Sequence, residues 1–287
     1  MPVVETVGII AKPNAARAAG LVPELLRWLD ARGIRVRMDE VSAGYAGSGP
    51  GMPREQVPEG CQLVIVLGGD GTLLAAARAV GGREVQVLGV NLGGLGFLAA
   101  VQVEELYPLL EDALRGDLRI GLRRMLHCEL SREGRTVAGY EALNDVVLSK
   151  ASIARMIDLE THVDGQLVCV YKSDGLIVAT PTGSTAYSLS AGGPIVFPSV
   201  DCIGLTPISS HTLTNRPVIV PARSVIRIRS RAADGEVYLT IDGQVGEPLR
   251  RDDVVVCRSS EHAVRLVRPR ELRFFDVLRE KLKWGTR

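Results

Sequence analysis

The chain has 287 residues, of which 46% are hydrophobic, and its 34 lysines and arginines nearly balance its 33 aspartates and glutamates. This length and apolar fraction predict one large domain or two ordinary ones with a sizeable core. The formal net charge of +1 argues against nucleic acid or an acidic membrane as a partner held by bulk attraction, so any phosphate must bind at a local site.

The sequence also lacks the marks of a secreted or membrane protein. Its five cysteines are widely spaced and include no Cys-x-x-Cys, which argues against a disulfide framework or a zinc site. No apolar run reaches the length of a membrane span. Residues 1–11 lack the charged region and the cleavage site of a signal peptide, so we expect a cytoplasmic protein.

The N-terminal part alternates strand and helix patterns. Residues 3–10 and 34–38 are typical of strands, and apolar residues recur at helical spacing between them, over residues 15–32. Residues 42–58 are rich in glycine and proline and show little periodicity. That composition predicts a flexible surface loop that could act as a lid.

The next strand and helix are joined by glycines. Residues 63–67 are a continuous apolar run, typical of a strand buried on both faces of a parallel sheet. Residues 68–71, Gly-Gly-Asp-Gly, lead into a predicted helix that ends near Val80. A strand at residues 85–91 and a helix at residues 104–115 complete a predicted doubly wound α/β layer.

The pattern changes at about residue 120, where short β-like runs separated by turn signals begin. The predicted strands are residues 126–131, 136–140, 145–148, 158–163, 166–172, 175–180, 218–221, 225–230, 237–241 and 252–258. A short helix near residues 185–191 interrupts them. We therefore predict a Rossmann-like α/β domain at residues 1–120 and an all-β domain, a sandwich or barrel, at residues 121–270. A helix within residues 271–287 is expected to pack back on the α/β domain.

Residues 68–71 have the setting of a phosphate-binding loop. Glycines let a ligand approach the backbone, and the following helix offers free N–H groups and the positive end of its dipole. Asp70 is unusual there because a carboxylate repels phosphate, so it must either bind a metal or accept a proton. The alternative is a strand–turn–helix corner in which Asp70 is a surface turn residue.

Residues 94–99 match Gly-x-Gly-x-x-Ala, the dinucleotide fingerprint of Rossmann dehydrogenases. The motif follows a strand, but it lies outside the first βα unit and the chain soon turns to β structure. The alternative is a glycine-rich turn that lies beside residues 68–71. No P-loop, His-Glu-x-x-His or Gly-x-Ser-x-Gly motif is present.

Residues 181–194 combine hydroxyl-bearing residues, glycines and one tyrosine. Such a loop suits hydrogen bonding to sugar hydroxyls and base edges, with close approach of the backbone to a ligand. The alternative is a surface loop rich in serine and threonine. The small apolar residues within the segment and the apolar strands on both sides favour burial.

Together these motifs resemble those of bacterial NAD kinases. The matching segments, in the order seen in that family, are residues 68–71, 91–98, 143–147, 174–175, 180–187, 212–217 and 242–244. The resemblance runs from about Val3 to about Phe275. The glycine–aspartate motif is shared with diacylglycerol, sphingosine and phosphofructo-type kinases, whereas Thr-Gly-Ser-Thr-Ala-Tyr at residues 182–187 is much more specific.

The resemblance implies transfer of a phosphoryl group from ATP, or from polyphosphate in some members, to the 2′-hydroxyl of the adenosine ribose of NAD. It gives Asp70 the role of general base, which suits a carboxylate within reach of a weakly nucleophilic hydroxyl. The backbone of Gly68, Gly69 and Gly71 would hold the phosphates. Mg²⁺ would bridge oxygens of the nucleotide itself, so no metal site built only from protein ligands is expected.

The same resemblance implies the residues of the NAD site. Asn144 and Asp145 would contact the adenosine part, with Asp145 suited to ribose hydroxyls and Tyr187 packing nearby. The other binding residues that it implies are Phe97, Arg155, Lys172, Asp174, Thr185, Ala186, Ser188, Leu189, Ser190 and Gln244. Arg155 and Lys172 serve phosphates in this reading, and ordinary solvated charges are the alternative for both.

Two positions depart from many relatives. Asp145 stands where many have glutamate, and Ala75 stands where many have a basic residue, which leaves Arg78 as the nearby substitute for phosphate contacts. The resemblance also implies a homo-oligomer, either a dimer or a tetramer. The rival hypotheses are a lipid or sphingoid kinase, and a non-catalytic dinucleotide-binding protein or Rossmann oxidoreductase.

Overall fold

The chain folds into two units that differ in architecture. The computed structural model describes residues 4–151, 156–269 and 273–285. The first unit is drawn from residues 1–122 and 264–287, and the second from residues 123–263. Within the described ranges, no helix is both long enough and apolar enough to cross a membrane.

The apolar runs of the N-terminal part form a parallel sheet in the first unit. Its elements are β1 (Thr6–Ala11), α1 (Ala16–Asp30), β2 (Arg35–Met38), α2 (Glu40–Ala46), β3 (Leu63–Gly68), α3 (Asp70–Val80), β4 (Gln86–Asn91) and α4 (Leu106–Arg115). The strand order is β2-β1-β3-β4, with every pair parallel. Every residue of β1 and β3 is buried, as expected when helices cover both faces of a sheet.

The strand order determines where this sheet can bind a ligand. β1 leads through α1 to β2 on one side, whereas β3 and β4 follow on the other side. Ligands of open α/β sheets bind beyond the carboxyl ends of the strands at this switch point. The residues that follow Ala11 in β1 and Gly68 in β3 therefore lie at the predicted binding edge.

The expectation of a flexible loop over residues 42–58 is wrong in its first part. Residues 40–46 form α2, whose first turn is capped because the Asp39 carboxylate accepts the Ser42 N–H at 2.9 Å. Ser42 and Ala43 are buried, and Gly47 ends the helix in a left-handed conformation. A helix of seven residues is too short to show a clear periodicity in the sequence.

The second unit is built from antiparallel strands. They are β5 (Ile120–Arg132), β6 (Arg135–Ala142), β7 (Asp145–Lys150), β8 (Ile157–Val163), β9 (Gln166–Ser173), β10 (Gly175–Ala179), β11 (Cys202–Ile208), β12 (Val218–Pro221), β13 (Ile226–Ser230), β14 (Val237–Ile241), β15 (Val245–Leu249) and β16 (Val254–Val267), with a short helix α5 (Tyr187–Ser190). One sheet has the order β12-β11-β10-β7-β14-β15. In the other, β13 pairs with β16 and β8, and β8 pairs with β9.

Apolar side chains of the two sheets form one core. Leu148, Val178 and Leu239 come from the first sheet, and Leu159 and Ile228 from the second, and all belong to a single buried cluster. The two sheets therefore pack as a sandwich. The predicted fold class, an α/β domain followed by a β-sandwich domain, is confirmed.

The sequence prediction missed two strands and shortened two others, β5, which begins at Ile120 and not at residue 126, and β16. Both missed strands, β11 and β15, contain a proline, Pro207 and Pro248, which weakens a strand pattern. The last strand runs nine residues beyond its predicted end, from Arg258 to Val267. The end of this strand belongs to the first unit, where Arg265 and Leu266 pair in parallel with β4.

The predicted C-terminal helix is present as α6 (Phe274–Leu282). It belongs to the first unit, and its residues Val277 and Leu278 are buried. The parts of the predicted helical segment at residues 271–272 and 286–287 lie outside the described residues.

Candidate active site

Asp70 lies where the sequence places it, as the first residue of α3 directly after the β3–Gly69 turn. Its carboxylate accepts three backbone N–H bonds from a loop that follows β4. Phe97 donates to Oδ2 at 2.9 Å, and Leu98 and Ala99 donate to Oδ1 at 3.1 and 2.9 Å. These bonds fix the orientation of the carboxylate. Within the described residues they occupy three of its four acceptor positions and leave one on Oδ2.

Asn91 organises the loop that donates these bonds. Its amide nitrogen donates to the carbonyls of Gly94 at 2.7 Å and Ala99 at 3.0 Å, and its Oδ1 accepts the Gly93 N–H at 2.7 Å. The residue is buried at the end of β4. Sequence reasoning quoted Asn91 in a motif but gave it no role. A polar residue at the end of an apolar, buried strand is the sequence feature that could have identified Asn91 as important.

The Gly94-x-Gly96 motif is explained by this loop. A methyl group on Gly96 would overlap the Asp70 carboxylate, whereas one on Gly94 would meet no atom within 4 Å. Gly96 therefore permits close approach of the loop to Asp70. Of the two interpretations of residues 94–99, the structure supports a glycine-rich turn beside residues 68–71.

Under the general-base role that the resemblance implies for Asp70, Gly96→Ala should lower turnover by about tenfold to a hundredfold, because a displaced carboxylate is misoriented for proton transfer. Gly94→Ala is the matched control and should keep turnover within about twofold. Steady-state kinetics of the two variants checks this. Equal losses in both variants would show that the motif acts through ligand contact at both glycines.

The glycine turn itself carries no nearby cation on α3. Ala75 is half-buried, and Arg78 lies eight residues after Asp70, which is about 12 Å along the helix axis toward its C-terminus. The backbone N–H groups that can bind an anion are at the other end of the helix, its N-terminus. Arg78 is therefore poorly placed to supply the phosphate contact that the resemblance leads one to expect near position 75.

The second unit contains a cavity of about 340 Å³ that gathers several predicted NAD-binding residues. It is lined by Asn144, Asp145, Val147, Ser149, Ala186, Tyr187, Thr240, Asp242 and Gly243. The Oδ1 atom of Asn144 is buried and has no hydrogen-bond partner among the described residues. A buried acceptor without a partner is costly, so a donor of a bound molecule is the expected partner. The volume is at the low end for ligand sites.

Asp242 holds the edge of this cavity in place. Its carboxylate accepts backbone N–H bonds from Leu143 at 3.1 Å, Asn144 at 2.8 Å and Asp145 at 3.2 Å. The sequence analysis treated Asp242-Gly243 as a turn, matched residues 242–244 to the family and gave a binding role only to Gln244. The left-handed conformation of Asp242, with φ of 49°, agrees with a turn, but the contacts lie about a hundred residues away in the chain.

Asp145 sits beside this carboxylate and is only 4% exposed. Burial, and secondly the negative charge of Asp242, raise the pKa of Asp145 from 3.8 to about 7. The unfolded chain loses this proton near pH 4, and the folded chain keeps it until about pH 7. The contribution of Asp145 to stability therefore falls as the pH rises from about 4 to about 7, and it is constant above that range.

We expect Asp145→Asn to raise the unfolding temperature by several degrees at pH 8 and to change it little at pH 4. The amide removes a charge whose burial costs about 4 kcal/mol above pH 7. Thermal unfolding of both proteins from pH 4 to pH 8 measures the difference. A difference in unfolding temperature between the two proteins that is the same at all pH values would contradict a raised pKa of Asp145. If Asp145 binds ribose hydroxyls, the same variant should bind NAD more weakly.

The remaining predicted residues lie at varied places. Asp174 pairs with Lys150 at 2.7 Å. The buried Ser188 hydroxyl shares a hydrogen bond with Thr206 at 3.0 Å. The Thr185 hydroxyl donates to the Thr182 carbonyl at 3.1 Å, so these groups already have partners within the protein.

Several predicted residues do not line the cavity of the second unit. Lys172, Ser190 and Gln244 are exposed, and Leu189 is half-buried. Arg155 lies outside the described residues. Gly68 ends β3, Gly69 lies in the turn before Asp70, and Gly71 follows Asp70 in the first turn of α3. Phe97, half-buried, presents its ring 6.0 Å from Lys281 Nζ. Across the described part of the chain, no three histidine, cysteine, aspartate or glutamate side chains could jointly hold a metal ion.

Comparison with known proteins gives the same family for both units. Residues 51–118 match the family model described as the ATP-NAD kinase N-terminal domain, and residues 143–269 match the ATP-NAD kinase C-terminal domain. The NAD kinase of Solibacter usitatus is 63% identical over 100% of both chains. That of Geobacter sulfurreducens is 48% identical over 98% of this chain and 99% of the relative.

Solved structures agree. The chain is similar to yeast NADH kinase complexed with NADH, with a TM-score of 0.92 and 27% identity over 100% of this chain and 90% of that one. It is also similar in fold to an NAD kinase from Archaeoglobus fulgidus in complex with ATP, with a TM-score of 0.76 and 24% identity over 97% and 98% of the two chains.

Proposed function

Because the chain belongs to the NAD kinase family, we propose that it transfers the terminal phosphoryl group of ATP to the 2′-hydroxyl of the adenosine ribose of NAD. The observation that carries this proposal is the carboxylate of Asp70. It stands at the switch point of the sheet, held by three N–H bonds with one acceptor position left on Oδ2. A hydroxyl donor fits that position, and a phosphate does not.

In the proposed reaction, the 2′-hydroxyl donates a hydrogen bond to Asp70 Oδ2. As the ribose oxygen bonds to the terminal phosphorus of ATP, its proton passes to Oδ2 and the bond from that phosphorus to the bridging oxygen breaks. ADP leaves, and NADP carries the new phosphate. The three N–H bonds keep the carboxylate aimed at the hydroxyl, which is the positioning that a phosphoryl-transfer site must provide.

The cavity of the second unit is the proposed adenosine site. Its unpartnered Asn144 Oδ1 would accept a hydrogen bond from the exocyclic amine of adenine. Asp145 would accept hydrogen bonds from ribose hydroxyls, and the half-exposed ring of Tyr187 offers an apolar face for the base. The yeast relative is described in complex with NADH, which supports a dinucleotide as the ligand.

The metal and the assembly are further parts of the proposal. N–H groups already fill three acceptor positions of the Asp70 carboxylate, which leaves little room for it to bind a metal. A Mg²⁺ ion would therefore be held mainly by ATP phosphate oxygens. When bound, the ion would neutralise charge that develops on the transferred phosphoryl group. We also propose a cytoplasmic homo-oligomer, either a dimer or a tetramer, which size-exclusion chromatography with light scattering would test.

A coupled assay tests the reaction. Purified protein is incubated with MgATP and NAD, and NADP is detected with an NADP-specific dehydrogenase. ATP-dependent NADP formation is expected. Parallel reactions replace NAD with NADH and ATP with polyphosphate to define acceptor and donor. A protein that binds NAD without consuming ATP would be a non-catalytic dinucleotide-binding protein, and phosphorylation of diacylglycerol or sphingosine would favour a lipid kinase.

A further inference from the structure

Arg17 places a positive charge beside the glycine turn from a different helix. It lies in the first turn of α1, which follows β1. Its guanidinium donates to the carbonyl of Leu92 at 3.2 Å. The N–H of Leu92 in turn donates to the carbonyl of Gly68 at 3.0 Å. Leu92 therefore links the Arg17 guanidinium to Gly68, the last residue of β3, at the switch point of the sheet.

The guanidinium is available to a ligand. Arg17 is exposed, and its bond to Leu92 uses one of five N–H donors. In the described ranges no carboxylate pairs with it. The other donors can reach a phosphate in a two-point contact, the geometry that arginine favours.

Local stability does not explain a cation at this position. The first turn of a helix carries the positive end of the dipole, which disfavours a positive side chain there. No acidic residue stands in the first turn of α1, and Ala15 provides no side-chain cap. The charge of Arg17 adds to the positive end of the α1 dipole, at the edge of the sheet where the proposed substrate would place its phosphates.

We propose that Arg17 binds the phosphate groups of ATP and supplies the charge that Ala75 and the distant Arg78 do not. This inference rests on the proposed function. It assigns the phosphate contact to the β1–α1 segment rather than to α3. Sequence reasoning did not identify Arg17 because the strand order that brings α1 beside residues 68–71 is not visible in a local pattern.

Equilibrium binding of MgATP to the full chain, measured by titration calorimetry, tests the role of Arg17 independently of turnover. Arg17→Gln should weaken MgATP binding about tenfold or more, since it removes charged hydrogen bonds. Arg17→Lys should recover part of the loss, because lysine keeps the positive charge but lacks the paired N–H donors of the guanidinium. The affinity for NAD should be unchanged if the contact is to the donor.

Arg27→Gln is the matched control. Arg27 is also exposed, lies on the same helix and donates to a backbone carbonyl, that of Pro23 at 3.4 Å. It lies ten residues further along, about 15 Å from the Arg17 position along the axis. Its loss should change MgATP affinity by less than about twofold. Arg17→Gln removes a cation from the positive end of α1, so it should not lower the unfolding temperature.

Ionic strength provides a second readout. The affinity of the natural protein should fall more steeply with added salt than that of Arg17→Gln, because an exposed charge contact is screened. MgATP affinity within about twofold of the natural protein in Arg17→Gln would overturn the proposal. If the natural protein binds MgATP but forms no NADP, the proposed function fails while the Arg17 comparison stands. If it does not bind MgATP, both fail.

Discussion

Asp70→Asn is expected to lower the turnover of NADP formation by about a thousandfold, within the usual range for loss of a general base. An amide has nearly the shape of the carboxylate but cannot take the proton of the ribose hydroxyl. The coupled assay under saturating MgATP and NAD measures the loss. NAD affinity, measured by titration, should change little, since the proposed adenosine site lies among residues of the second unit.

The contacts of Asp70 add a structural cost to this substitution. Its carboxylate accepts from Phe97, Leu98 and Ala99, and an amide must point its NH₂ group at one of these donors. The unpaired donors should destabilise the first unit by about 1–3 kcal/mol. Thermal unfolding measures that cost.

Gly96→Ala separates the two effects. It disturbs the same three bonds but keeps the carboxylate, so a loss caused by loop displacement alone would be as large in Gly96→Ala as in Asp70→Asn. We expect Asp70→Asn to be the more severe by at least about tenfold. NADP synthesis by Asp70→Asn within about tenfold of the natural rate would exclude the general-base role.

Gly183→Ala should destabilise the second unit and weaken NAD binding. Gly183 is buried against the backbone of Asn144, and an added methyl group would overlap the carbonyl oxygen and carbon of that residue. Backbone atoms cannot move aside as a flexible side chain can. Because the Thr180 N–H also donates to the Asn144 carbonyl at 2.9 Å, the two segments must separate together.

The expected cost of Gly183→Ala is about 3 kcal/mol or more, in the upper range for overpacking. NAD affinity should fall at least about tenfold, because Asn144 and Asp145 shift with the backbone. Denaturant unfolding and NAD titration measure the two effects. Gly139→Ala in β6 is the control, since its methyl group would lie 3.9 Å from the nearest atom. Equal effects of both substitutions would refute the packing argument.

Local patterns predicted the parts of the fold that depend on short stretches of chain. The apolar run of β3, the glycine turn and α3 were placed from consecutive residues, and ten of the strands in the all-β region follow turn signals and alternation. The missed elements have weaker local patterns. They are α2, which has only seven residues, and the proline-containing strands β11 and β15.

The candidate site was predicted only as far as its side chains carry a signature. Asp70 stands out in the sequence because a carboxylate is unusual in a glycine turn, and Asn144 and Asp145 were identified through the family resemblance. The groups that hold Asp70 are backbone N–H donors of residues 97–99, and any residue except proline supplies such a donor. Asp242 likewise acts on backbone groups about a hundred residues away. Such contacts depend on tertiary structure, which no short segment specifies.

The size of the cavity beside Asn144 has a consequence for coenzyme choice. In the proposed binding mode the adenosine part fills this cavity of about 340 Å³, and the nicotinamide ring lies outside it. Oxidised and reduced coenzyme differ only in that ring. The pocket that selects the phosphoryl acceptor would therefore not sense the redox state, and any preference between the two forms must arise from residues that do not line it.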